Sequence, residues 1–175
     1  MNAEDIKERL INNFGIMFAD ANFDNPRSET QKAAFMACKA FRGKSQYLQG
    51  VYATGKTYAL AALYALQLGT GYKIKVFTAK SLSEWMREED LRTSLTQSIR
   101  ELCHRFKIFI IDDLDKTKWT ESFDSNFYAF IDELYKNQKT IYISANKSLK
   151  ELVEIQGFNG ASVRRIQDMS KIIRF

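Results

Sequence analysis

The densest chemistry in the chain lies in the run Gly50-Val51-Tyr52-Ala53-Thr54-Gly55-Lys56-Thr57, which meets the pattern G-x-x-x-x-G-K-[ST] at every fixed position. Each residue type has a physical task there. Gly50 and Gly55 let the main chain wrap a phosphate chain, Lys56 brings a compact positive charge to the outer phosphates, and Thr57 offers a hydroxyl to Mg²⁺. Tyr58 then opens a run of strong helix formers, Ala59-Leu60-Ala61-Ala62-Leu63, whose first N–H groups would point at the anion. The plain alternative is a glycine turn before a helix that carries a chance Lys-Thr.

A second chemical group ends an apolar run. Ile108-Phe109-Ile110-Ile111 suits a central parallel strand covered on both faces, and Asp112-Asp113 follow it directly. A lone acid there would read as a polar stop. Beside a phosphate loop, a strand-end acid helps hold Mg²⁺ and its neighbour can polarise an attacking water, which assigns Asp112 to the metal and Asp113 to the water. Asp115 reads as an ordinary loop acid. At the end of Thr140–Ser144, a further strand, Asn146 either closes a turn or orients water against a phosphate.

The elements that must position these groups follow from periodicity and punctuation. Ile6, Leu10, Phe14 and Met17 sit at helical spacing in residues 3–17, which caps the core or docks a partner, and the only proline, Pro26, lies in a loop over 18–27. Ser28 and Gln31 form a capping box for a helix ending at Arg42-Gly43, before a short strand over 46–49. Past the loop's helix, Lys73–Thr78 alternates as a strand, and Ser81 with Glu84 makes a second capping box. That box opens a short helix through Trp85 and Met86, and Leu91, Leu95, Ile99 and Cys103 then repeat along a second, longer one. A helix over 124–137 precedes the Asn146 strand, Ser148 with Glu151 is a third box, and Gly157 and Gly160 punctuate a loop. Helix 161–169 and strand 171–175 end the chain. Strands alternating with helices predict a three-layer α/β fold with a five-stranded, mainly parallel sheet and ligand at the strands' carboxyl edge.

Composition bounds the class. With 175 residues, 45% hydrophobic, the chain is expected to fold as a single domain with a real core, residues 1–27 leading into it. A net charge of +5 permits contact with a polyanion and is equally met by a solvated basic surface. Cys38 and Cys103 fall in apolar helical contexts and His104 is the single histidine, so no structural metal cluster is expected. No apolar run reaches the length of a membrane span and the N-terminus lacks a signal-peptide layout, so a cytoplasmic protein is expected.

The runs GVYATGKT (50–57), IFIIDDLD (108–115), ISAN (143–146) and ASVRRIQDM (161–169) resemble the AAA+ ATPases. Their wording is most similar to the bacterial replicative helicase loaders and the related transposition helper ATPases of the DnaC/DnaI/IstB type. The resemblance implies an ATP-binding P-loop core with Gly50–Tyr58 on the nucleotide, Thr57 and Asp112 on Mg²⁺, Asp113 on the water and Asn146 as sensor 1. It also implies that Arg165, or Arg164 beside it, reaches the ATP of a neighbouring subunit in a homo-oligomer.

Three departures stand out. Ala53 occupies a position where the family usually has glycine, and Leu134 replaces an arginine before Tyr135. Neither a separate N-terminal helicase-binding domain nor a helical lid is expected in these 175 residues. Beyond ATP, the expected partners are single-stranded DNA and a replicative helicase or a transposition protein, with ATP as an assembly switch. Two other classes compete: a nucleotide-binding module that rivals a loader without meaningful turnover, and a small-molecule phosphotransferase. The latter wants an arginine-bearing lid, which residues 79–107 do not supply.

Overall fold

The computed structural model describes residues 1–92, 94–154 and 158–175. Among them five strands form one parallel sheet in the order β2-β3-β4-β1-β5: β1 is Ser45–Gln49, β2 Ile74–Thr78, β3 Ile108–Asp112, β4 Thr140–Ala145 and β5 Ser170–Arg174. Parallel strands need crossovers, and helices supply them on both faces. No separate lid interrupts this α/β core among the described residues.

The alternation along β3 shows why every position had to be apolar. Ile108 and Ile110 face the side covered by α1 (Ala3–Phe14), α2 (Glu29–Ala40) and α3 (Lys56–Leu68), where they meet Leu10, Phe35, Leu60 and Leu63. Phe109 and Ile111 face α4 (Ala79–Arg92), α5 (Leu95–Arg105), α6 (Glu121–Lys136), α7 (Leu149–Val153) and α8 (Gly160–Met169), among Leu82, Ile99, Phe127, Phe130 and Ile166. A strand with two buried faces has no solvent side on which to place a polar residue.

Several boundaries differ from the sequence expectation for local physical reasons. Helix α1 stops at Gly15, whose φ of 96° is open to glycine, and Met17 in the following one-turn helix points to solvent instead of joining the apolar stripe. Thr78 at the end of β2 caps α4, exchanging hydrogen bonds with Ser81, so Ser81 sits inside the helix and not at its cap. Two helices are found here, but Leu91 belongs to the first and not, as its spacing suggests, to the one that carries Cys103. Leu91 is 82% exposed on α4, while Leu95, Ile99 and Cys103 are buried on α5. Ser148 and Glu151 do form a capping box, at the start of α7. Gly157 lies outside the described residues.

Two ties matter for the elements near the site. Buried Asp124, in the first turn of α6, accepts from the Trp119 indole N–H at 3.1 Å and from the Asn159 main-chain N–H at 2.6 Å, joining α6 to the cap of α8. Cys38 and Cys103 are free thiols, and burial pushes both up to about 12.

Candidate functional site

The loop between β1 and α3 opens a cavity of about 730 Å³ at the carboxyl edge of the sheet. Tyr52, Ala53, Thr54, Gly55, Lys56, Thr57 and Tyr58 line it with Asp113, Lys116 and Asn146. Three strand ends thus meet the loop at one place: β1 leads into it, β3 ends at Asp112 and β4 at Ala145.

The loop's shape depends on two close approaches. Gly55, at φ 98° and the N-cap of α3, has the Gln31 side-chain amide where a Cβ would stand, and that amide donates to the Thr54 carbonyl at 3.1 Å. Gly50 is pressed by Phe175, whose carbonyl lies 2.5 Å from the position of a Cβ and whose N–H donates to Gln49 at 2.8 Å. Ala53 takes φ 63°, a left-handed conformation that costs an L-residue about 1–2 kcal/mol. Ala53 thus adopts a conformation that glycine takes without strain.

Lys56 is only 6% exposed. Its ammonium donates to the Gly50 and Val51 carbonyls, both at 2.8 Å, and to Asn146 Oδ1 at 3.1 Å. Burial pushes it below the ordinary lysine range, against the pull of Asp113 and Asp115. The Thr57 hydroxyl donates to Asp112 Oδ1 at 3.1 Å, and the same oxygen accepts from buried Ser144. Burial lifts Asp112 above the usual carboxylate range, the Asp113 charge adds to this, and those hydrogen bonds oppose it. Asp113 stands at φ 57° with its N–H on Ser144 Oγ at 2.9 Å and its carboxylate on Lys116 at 2.8 Å. Lys116 also lies over the Tyr52 ring at 5.2 Å.

The adjacent oxygens of Thr57 and Asp112 are the hard donors that Mg²⁺ prefers, so the residues present fit that ion. Arg165 is elsewhere. It extends from α8 to α6, 3.2 Å from Asp132 and 4.6 Å above the Tyr135 ring, and is not among the cavity's lining residues. Arg164 beside it is exposed.

Sequence reasoning missed three residues of the site. Asp115 is not an idle loop acid, because it accepts from both the main-chain and side-chain N–H groups of Asn146. Gln31 does not complete a capping box: Ser28 accepts from its N–H, but its side chain takes the Arg27 N–H and the phosphate loop. Lys116 had no signal beyond its place after the acids. Contacts across 23 or 31 residues leave no mark in local spacing.

The sequence profile of the bacterial DnaA ATPase domain matches residues 28–159. Among solved structures, the DnaC helicase loader is similar at 20% identity over 91% of this chain and 98% of its own, with a TM-score of 0.76. DnaI is similar at 15% identity over 90% and 92%, with a TM-score of 0.72. The replication initiator DnaA bound to AMPPCP and single-stranded DNA is similar at 17% identity, with a TM-score of 0.74. That likeness covers 89% of this chain and 49% of the DnaA chain, so the match spans about half of that relative. At these identities the structural likeness is one of fold.

Proposed function

The chain belongs to the family of bacterial DnaA ATPase domains, and from that premise we propose that it is a helicase-loader-type ATPase that assembles on single-stranded DNA with ATP as the switch and acts on a replicative helicase. As an AAA+ ATPase of the replication-related kind it needs a phosphate site, a metal site and a water site in one place. One observation carries the reading: Lys56, Thr57, Asp113 and Asn146, drawn from three separate strand ends, line a single cavity, with Asp112 held just behind it by the Thr57 hydroxyl.

The residues divide the work by their chemistry. Gly50–Tyr58 wraps the phosphates, and Lys56 exchanges its loop carbonyls for the stronger acceptors of the outer phosphates. Thr57 and Asp112 would hold Mg²⁺, which would supply positive charge to offset that of the phosphates. Asp113 takes the proton of the attacking water, and Asn146, at the end of the neighbouring strand, orients that water. Asp113 must first give up Lys116, and an anionic phosphate nearby offers that lysine a competing partner. Arg165 serves a neighbouring subunit's ATP, which requires it to leave Asp132 and Tyr135.

A second reading has that last contact behind it. If Arg165 stays on α6, no finger reaches a neighbour, and the protein is a nucleotide-binding interaction module with little turnover. A transposition protein in place of a helicase is the corresponding alternative partner.

DNA contact falls to the basic side chains of 32–44 and 164–174. Lys32 and Lys39 are partnered by Glu29 and Asp24, whereas Lys171 lies over the Phe41 ring. Such contact is with phosphates, insensitive to base sequence and weakened by salt. The deciding experiment measures ATP turnover with and without single-stranded DNA at low and moderate salt. Stimulation that fades with salt is expected, and binding without turnover in every condition would replace the loader reading with the module.

A further inference from the structure

Asp115 and Asn146 share two hydrogen bonds across 31 residues of sequence. Asp115 Oδ1 accepts from the Asn146 main-chain N–H at 2.9 Å, and Oδ2 accepts from the Asn146 side-chain amide at 3.2 Å. On the other side, the Asn146 amide oxygen accepts from Lys56 at 3.1 Å. The charges on the two sides decide which end of the amide is which. Turned over, Asn146 would set its oxygen against a carboxylate and its N–H groups against an ammonium, two repulsive contacts in a partly buried site.

The support beneath Asp115 is firm. It sits in the one-turn helix Leu114–Lys116, whose Leu114 side chain is fully buried. On the far side, the Tyr47 hydroxyl donates to the Lys147 carbonyl at 2.7 Å and fixes the chain just past Asn146.

We propose that Asp115 is a positioning residue for ATP hydrolysis, holding Asn146 at its main-chain and side-chain N–H groups so that its remaining amide N–H stays aimed at the reacting water. The assignment rests on the reading of Asn146 as the residue that orients that water. Two consequences separate it from a merely structural role. Loss of the carboxylate frees the amide to rotate, which slows the chemical step and leaves nucleotide affinity alone. Once Asn146 is removed, Asp115 has nothing left to position.

The test compares Asp115→Ala, Asp115→Asn, Asn146→Ala and the double variant Asp115→Ala with Asn146→Ala, each for kcat at saturating ATP and for ATP affinity. In Asp115→Ala, kcat falls about ten- to a hundredfold, the scale of loss from a displacement on the order of 1 Å at a reacting centre, with affinity within about twofold. Asp115→Asn keeps one acceptor oxygen and recovers part of the loss. The double variant is no slower than Asn146→Ala. Parental kcat in Asp115→Ala, or a double variant slower again by the full Asp115→Ala factor, overturns the positioning role while Asn146 keeps its own. Parental turnover in Asn146→Ala overturns the role of Asn146 itself, and that of Asp115 with it.

A spectroscopic readout stands apart from activity. In protein carrying ¹⁵N only at asparagine, the side-chain NH₂ pair missing from Asn146→Ala identifies that residue. Its two protons are widely split in the parent, because one is bonded to a carboxylate, and the splitting narrows in Asp115→Asn. Unchanged splitting overturns the proposal.

Discussion

Asp113 is the residue at which geometry and proposed chemistry are most tightly joined. Its left-handed backbone, its N–H on Ser144 and its bond to Lys116 hold the carboxylate at the cavity wall. Asp113→Asn keeps the shape and removes the base, so ATP affinity should hold while kcat falls about 10²–10⁴-fold, the usual worth of general base catalysis. Parallel loss of affinity, measured by nucleotide titration, would make the residue structural instead. Ala53 gives a prediction of opposite sign. Its φ of 63° is strained for alanine and free for glycine, so Ala53→Gly should raise stability by up to about 1 kcal/mol. Thermal melting reads this as a rise of about 2–4 °C for a chain of this size.

At the scale of elements, what was legible in the sequence followed what local spacing can encode. The loop from Gly50 to Thr57 and the run from Ile108 to Asp113 are contiguous, so residue type and order alone located them, and the sheet carries them to one edge. Leu91 shows the limit, because an apolar residue at helical spacing extends a pattern whether or not the helix continues, and here it faces water at the end of α4. Ser81 shows another: a hydroxyl residue and an acid three apart mimic a cap when the true cap, Thr78, is the strand's last residue. Gln31 and Asp115 were illegible because their partners lie on other elements. Asp124 belongs with them. Its carboxylate satisfies an indole and a main-chain N–H on the way to α8, so Asp124→Ala loses two part-buried hydrogen bonds to a charged group at about 1–2 kcal/mol. The melting temperature should fall by several degrees with the α8 cap loosened first, a pattern that hydrogen exchange at Ala161 and Ser162 would reveal.

For the whole molecule, the separation of Arg165 from the cavity is the decisive geometry. An arginine that does not line its own site can assist hydrolysis only across an interface, and such a finger is worth about 10³–10⁵ in rate. On the proposed reading of Arg165 as such a finger, activity should rise faster than linearly with protein concentration. Arg165→Ala keeps a nucleotide site and Lys56→Ala keeps a finger, so mixing the two inactive proteins should restore part of the parental rate. An Arg165→Ala protein as active as the parent, with no gain on mixing, would leave that arginine to its contacts with Asp132 and Tyr135. The two sequestered cysteines give a practical route to watching the cavity. With both thiols held near 12, a maleimide dye at neutral pH ignores them, so a single introduced Met17→Cys would carry the label. Met17 is 87% exposed and lines the cavity outside the phosphate loop, so a dye there would report nucleotide arrival as a change in fluorescence without the native cysteines having to be removed.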